Sequence, residues 1–142
     1  MKVFLDANIL VAVLCKEYPL YTNAAKLLSL ADNRKFTLYT SPVCLAIAFY
    51  FAEKKHGSVS AKERMALLAK HIKIASCGEK EVMAAATNKK VNDFEDGLEY
   101  YSALHAHCTV IITEDRDDFY FADKTEILTA FDFLNQYAVR NY

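Results

Sequence analysis

The sequence predicts an α/β domain with a three-layer α/β/α architecture and a central parallel sheet of four to five strands. Three observations carry this expectation. Short apolar runs alternate with helix-patterned segments, the arrangement of a parallel sheet covered on both faces. A chain of 142 residues suits one core, so residues 1–142 are read as a single domain. With 54% hydrophobic and 25% charged residues, three Gly and two Pro, the composition excludes a disordered or collagen-like chain and favours regular structure.

The elements follow in order. Lys2 to Leu5 is a short apolar run ending at Asp6-Ala7-Asn8, after which Ile9, Leu10, Val13 and Leu14 recur at helical spacing. Pro19 suits the first turn of a second helix reaching about Ala31, and Asp32-Asn33 marks a turn before the β-prone Phe36 to Tyr39. Ser41-Pro42 has the form of an N-cap with proline at the first helical position. The segment Val43 to Phe51 is apolar nearly all round, which predicts a buried helix or one that faces a partner. Ser60 with Glu63 forms a capping-box pattern for a charged helix through Ala69. A short strand is expected over Ile72 to Ala75, then helices over Glu79 to Thr87 and Phe94 to Ala106. Thr109 to Ile112 is the clearest strand; the acidic turn Glu114 to Asp118, a last strand near Ile127 and Leu128, and a helix from about Ala130 complete the chain.

Net charge is −1, yet residues 1–91 carry 14 Lys+Arg against 7 Asp+Glu, while residues 92–142 carry 3 against 11. Lys54, Lys55, His56, Lys62, Arg64, Lys70, Lys73, Lys89 and Lys90 are read either as a solvated face or as a grip on a phosphodiester backbone. Cys15, Cys44, Cys77 and Cys108 show no CxxC pair and no disulfide-dense spacing, so they are expected to be reduced thiols. The N-terminus lacks the apolar core of a signal peptide, and no stretch reaches the roughly 18 apolar residues that span a bilayer; no membrane association and a cytoplasmic location are expected.

In an open parallel sheet ligands bind outside the carboxyl ends of the strands. Three polar groups meet that description or stand at a helix start: Asp6 and Asn8; Asp93, Glu95 and Asp96; and Asp115, Asp117 and Asp118. If they converge, several carboxylates share one cleft, and oxygen-only ligands suit Mg²⁺ or Mn²⁺ engaged in phosphate chemistry. Capping of helix N-termini is the plainer explanation for Asp93, Glu95, Asp115 or Asp117 taken singly. It explains Asp6 less well, because a carboxylate closing a central apolar strand is costly without partners. Gly97, beside Asp96, permits close approach of another group. The scattered His56, His71, His105 and His107 do not form a metal pattern, Ser41 and Ser102 lack a nucleophilic-triad context, and no phosphate-binding glycine loop is present.

Taken together, these segments resemble the PIN domain family, metal-dependent ribonucleases that include toxins of bacterial toxin–antitoxin pairs. Val3-Phe4-Leu5-Asp6-Ala7-Asn8-Ile9-Leu10 resembles the family's first strand with its Asp-x-Asn. Asp93-Phe94-Glu95-Asp96-Gly97-Leu98 resembles the helix bearing its central acid. Ile111-Ile112-Thr113-Glu114-Asp115-Arg116-Asp117-Asp118-Phe119 resembles its Thr-x-Asn/Asp-x-x-Asp-Phe segment. The resemblance covers essentially the whole chain. It implies that Asp6, Asp96 and Asp115 are catalytic and hold Mg²⁺ or Mn²⁺ for in-line attack of water on RNA. Asp93 and Asp118 join the metal set, and Asn8, Thr113 and Ser41 are supporting residues. It also implies RNA as substrate, and leaves open whether the role is that of a toxin with an antitoxin protein as partner or RNA maturation. Separately, the Val43 to Phe51 helix and the nine Tyr and nine Phe leave room for a homodimer face, though core packing is the commoner use of such residues.

One position departs from the family. About six residues after Ser41, where the family places a glutamate, stands Ile47; Glu53, six residues further, falls on another helix face. This leaves a second reading open: a degenerate domain that binds RNA or protein without cutting. A third, an Asp-dependent phosphoryl-transfer domain, would want a second acid beside Asp6, where Asn8 stands.

Overall fold

Five parallel strands form the central layer in a computed structural model that describes residues 1–138; residues 139–142 of the expected single domain lie outside the described residues. The strands are β1 (Lys2–Leu5), β2 (Thr37–Thr40), β3 (Lys73–Ile74), β4 (Val110–Ile112) and β5 (Glu126–Leu128), in the order β3-β2-β1-β4-β5. β1 is central, pairing Val3 with Leu38 on one side and Leu5 with Ile112 on the other. Its Val3, Phe4 and Leu5 are fully buried, as a strand covered on both faces demands. The chain runs outward from β1 through β2 to β3, then returns to the far side of β1 for β4 and β5. The order therefore switches at β1 and β4, where doubly wound sheets open a crevice at their carboxyl ends.

The helices are α1 (Ala7–Leu14), α2 (Leu20–Ser29), α3 (Pro42–His56), α4 (Ser58–Ala69), α5 (Glu79–Thr87), α6 (Phe94–His105) and α7 (Ala130–Phe133), flanking the sheet as the predicted three-layer fold requires. No described helix is long and apolar enough to cross a membrane. All four cysteines are free thiols, as their spacing predicts.

One expectation is corrected, the Ser60–Glu63 capping box. α3 starts as predicted, with Ser41 Oγ accepting from Cys44 N at 3.2 Å, and it is buried on one face. Its inner face carries Cys44, Ala48 and Ala52, small residues that admit neighbouring helices, while Tyr50 and Phe51 are 55% and 45% exposed. The Ser60–Glu63 capping box does not form. Gly57, at φ 80°, turns the chain directly from α3 into α4, so Ser60 already lies inside the helix and its hydroxyl accepts from Arg64 Nε. In the Lys54-Lys55-His56 run both lysines are solvent-exposed, in keeping with the solvated-face reading, and the three side chains also find partners within the chain. The Lys55 ammonium bonds the Cys15 carbonyl and His56 Nε2 lies 3.0 Å from the Leu14 carbonyl, so both satisfy the end of α1; Lys54 covers the Tyr50 ring at 4.1 Å.

The close approach expected at Gly97 is present between α5 and α6. A Cβ at this position would stand 2.8 Å from Val91 Cγ1 and 3.0 Å from Ala85 Cβ. Alanine gains about 1 kcal/mol in helix propensity over glycine, whereas forcing atoms into a packed contact costs about 1–3 kcal/mol. Gly97→Ala is therefore expected to lower stability in urea denaturation; a stabilised variant would show that α6 has room to shift.

Candidate metal centre

The sheet's parallel register aligns the carboxyl ends of β1 and β4. Asp6 N donates to the Ile112 carbonyl at 3.0 Å, which sets Asp6 beside Thr113 just beyond the two central strands. Asp6 is 7% exposed, and its side chain caps α1 by accepting from Ala7 N at 2.6 Å. Its other oxygen accepts from Thr113 Oγ1 at 2.7 Å. Asn8, on the first turn of α1, points its amide at Thr113 Oγ1 and at Asp115 Oδ2, each 3.2 Å away. Asp115 N closes the network on Thr113 Oγ1 at 3.0 Å. The buried Thr113 hydroxyl thus ties Asp6 to Asp115, and both acids arrive with fixed orientation.

α6 brings the remaining acids. Asp93 caps it, accepting from Glu95 N at 2.9 Å, so the capping explanation holds for this residue. Asp93 nevertheless lines the same cleft, of about 400 Å³, as Asp6, Asn8, Glu95, Asp96, Asp115 and Asp118. The convergence expected from the strand ends is therefore present, and no lysine, arginine or histidine lines the cleft among the described residues. Asp117 faces away, along a neighbouring depression with Glu114, whose Oε1 accepts from Ala130 N at 3.2 Å. Ser41 is buried at the start of α3 and does not line the cleft; its contribution is to hold the helix start. Glu53 is exposed and also outside the cleft, whereas Ile47 lines it.

Glu99, on α6, was not singled out by the sequence reading. It is 1% exposed, lines the cleft, and its Oε2 has no hydrogen-bond partner among the described residues. Ligand atoms of Asp6, Cys44 and Glu99 lie within 4.8 Å of one another. The available signal was spacing: Glu99 follows Asp96 by three residues, which puts both on one helix face.

Like charges crowd the cleft. Burial, followed by the charges of Asp93, Asp118, Asp6 and Glu95, pushes the Asp96 carboxyl up to about 7. Burial, followed by the charge and hydrogen bond of Asp6, pushes Glu99 up to about 11, with a hydrogen bond from Cys44 acting the other way. Burial also raises the Cys44 thiol well above its ordinary range, so it remains protonated at neutral pH. Asp118 and Glu95 are raised as well, first by desolvation and then by neighbouring acids. An orphaned buried carboxylate oxygen and an oxygen-rich donor set without a protein cation fit a hard divalent ion.

Comparison with known proteins agrees with this geometry. The chain is 27% identical over 143 residues to "Ribonuclease VapC1" of Aquifex aeolicus (strain VF5), covering 96% of this chain and 95% of the relative. The fold is similar to that in the 2.2 Å structure of VapBC-1 from nontypeable Haemophilus influenzae, with a TM-score of 0.69, 20% identity, and 92% and 99% of the two chains covered. It is also similar to that of VapBC2 from Rickettsia felis bound to a DNA fragment from its promoter, with a TM-score of 0.67, 19% identity, and 89% and 97% covered. The PIN domain model matches residues 2–117, a span that holds the Asp6 strand end, the α6 acids and the Thr113–Asp115 turn, and the chain belongs to the PIN domain family.

Proposed function

We propose that this protein is a metal-dependent ribonuclease acting as the toxin of a toxin–antitoxin pair. The observation that carries the reading is the convergence of Asp6, Asp96 and Asp115 in one cleft that, among the described residues, offers no basic side chain. Support also comes from a relative named as a ribonuclease and from structural neighbours named as VapBC assemblies. RNA is the substrate, an antitoxin protein and a second copy of the chain are the partners, and the cytoplasm is the location this role requires.

In this reading Asp6, Asp96 and Asp115 hold Mg²⁺ or Mn²⁺, with Asp93 and Asp118 adding negative charge at the exposed rim. A divalent ion there supplies a Lewis acid for a phosphate oxygen and lowers the pKa of water. Thr113 fixes Asp6 by donating to it, and Asn8 donates to Asp115, so both carboxylates keep their lone pairs aimed without rearrangement. Asp118, on the short turn Arg116–Phe119, lines the same cleft beside Asp115.

Ile47 favours a second reading, a domain that binds RNA or a protein partner without cutting, and one experiment separates the two. Mn²⁺ and Mg²⁺ binding is measured by calorimetry on the wild type and on Asp96→Asn, with cleavage of a mixed RNA pool followed in the same buffers. The wild type is expected to bind and cut, and Asp96→Asn to lose at least about tenfold in affinity together with cleavage. Binding without cleavage would favour the second reading. No binding at millimolar metal would return these acids to helix capping.

A further inference from the structure

We propose that Glu99 supplies, from α6, the carboxylate missing from α3 at Ile47, and that it is the innermost ligand of the metal centre. The inference rests on the metal-dependent reading above. Glu99 is 1% exposed and hydrogen-bonds with Asp6 and Cys44, yet its Oε2 has no partner among the described residues, a costly state for a buried carboxyl oxygen unless something else binds there. Its position shows what that is. A Glu99 oxygen, an Asp6 oxygen and Cys44 Sγ all lie within 4.8 Å of one another, so Glu99 reaches the floor of the cleft where β1 ends and α3 begins.

Cys44 precedes Ile47 by three residues and so shares its face of α3. Ile47 and Glu99 both line the cleft. A side chain from α6 therefore enters the space that a carboxylate at position 47 would enter from α3. Cys44 places a small side chain beside Asp6 and Glu99.

The test compares wild type, Glu99→Gln, and the double variant Ile47→Glu with Glu99→Gln. Mn²⁺ affinity is read by calorimetry, the Mn²⁺-induced shift in melting temperature by calorimetric scanning, and cleavage on an RNA pool. Glu99→Gln keeps the side-chain shape and is expected to fold, to lose at least about tenfold in Mn²⁺ affinity, and to lose most of the Mn²⁺-induced shift. The double variant is expected to recover both. Unchanged Mn²⁺ affinity in Glu99→Gln overturns the assignment, and failure of the double variant to recover overturns the equivalence of the two positions. A wild type that binds Mn²⁺ but cuts no RNA sinks the nuclease reading alone, because loss of binding in Glu99→Gln would still assign the ligand. A wild type that binds no Mn²⁺ sinks both.

Discussion

Asp6→Asn is expected to abolish RNA cleavage while leaving the protein at least as stable as the wild type. The two effects have opposite signs because Asp6 serves two purposes. As a cap, its side chain accepts from Ala7 N at 2.6 Å, and asparagine caps helices about as well as aspartate. As a charge, it is 7% exposed among other acids and raises the cost of ionising Asp96 and Glu99. Removing that charge relieves repulsion in the metal-free protein. Removing it from the metal centre takes away the carboxylate that Thr113 and the end of β1 orient. Loss of an outer hydrogen-bond partner typically costs 10–100-fold in metal affinity or activity, so loss of a ligand itself is expected to cost at least about 100-fold. Cleavage rate and melting temperature measured on the same preparation check this. A variant that keeps cleavage within a few-fold of wild type would remove Asp6 from the chemistry; one that loses both activity and melting temperature would make Asp6 a structural residue first.

The metal-free protein is expected to lose stability as pH rises from about 5 to 8, and divalent metal to restore it. The Asp96 carboxyl titrates at about 7 in the fold but near 4 in the unfolded chain, so between these values the folded state holds the extra proton. Its contribution is fully present below about 4 and is lost as pH rises through about 7. Glu99, raised to about 11, adds a slope of the same sign that extends further into the alkaline range. Metal reverses the trend because ligands bind it deprotonated, so a Mn²⁺-induced rise in melting temperature is larger at pH 8 than at pH 5. The amide of Asp96→Asn does not titrate, so the melting temperature of this variant should exceed that of metal-free wild type progressively above pH 5, reaching a gap of roughly 5 °C near pH 8. Taking the difference between the two proteins removes groups that behave oppositely, such as Glu81, whose carboxyl is lowered first by the Gly78 backbone N–H. A difference that stays constant from pH 5 to 8 would mean that Asp96 is not crowded by its neighbours.

Much of this could be read from local pattern. The run Lys2 to Leu5 and the run Thr109 to Ile112 are apolar, short and bounded by polar residues, and they become the paired central strands β1 and β4. The three acidic groups holding Asp6, Asp96 and Asp115 were legible because strand ends and helix starts are set by short-range signals, and a parallel sheet gathers its carboxyl ends on one edge; the choice of these three within the groups rests on the family resemblance. The Asp93 cap was legible for the same reason.

Tertiary packing decided the rest. Periodicity places Glu99 on the face of Asp96, but which way that face looks depends on how α6 rolls against its neighbours, and that roll is set by the contact of Gly97 with Ala85 and Val91. Ser60 and Glu63 satisfy a local capping rule that lost to Gly57, because α4 begins as soon as the chain leaves α3. Position 47 carries no carboxylate, and Glu99, remote from it in sequence, lines the same cleft from another helix. By itself the sequence determined the order of strands and helices and the acids at their ends, since these follow from interactions within a few residues. Only the tertiary structure decided which helix delivers the deepest carboxylate, because that depends on side chains remote in sequence meeting in one buried volume.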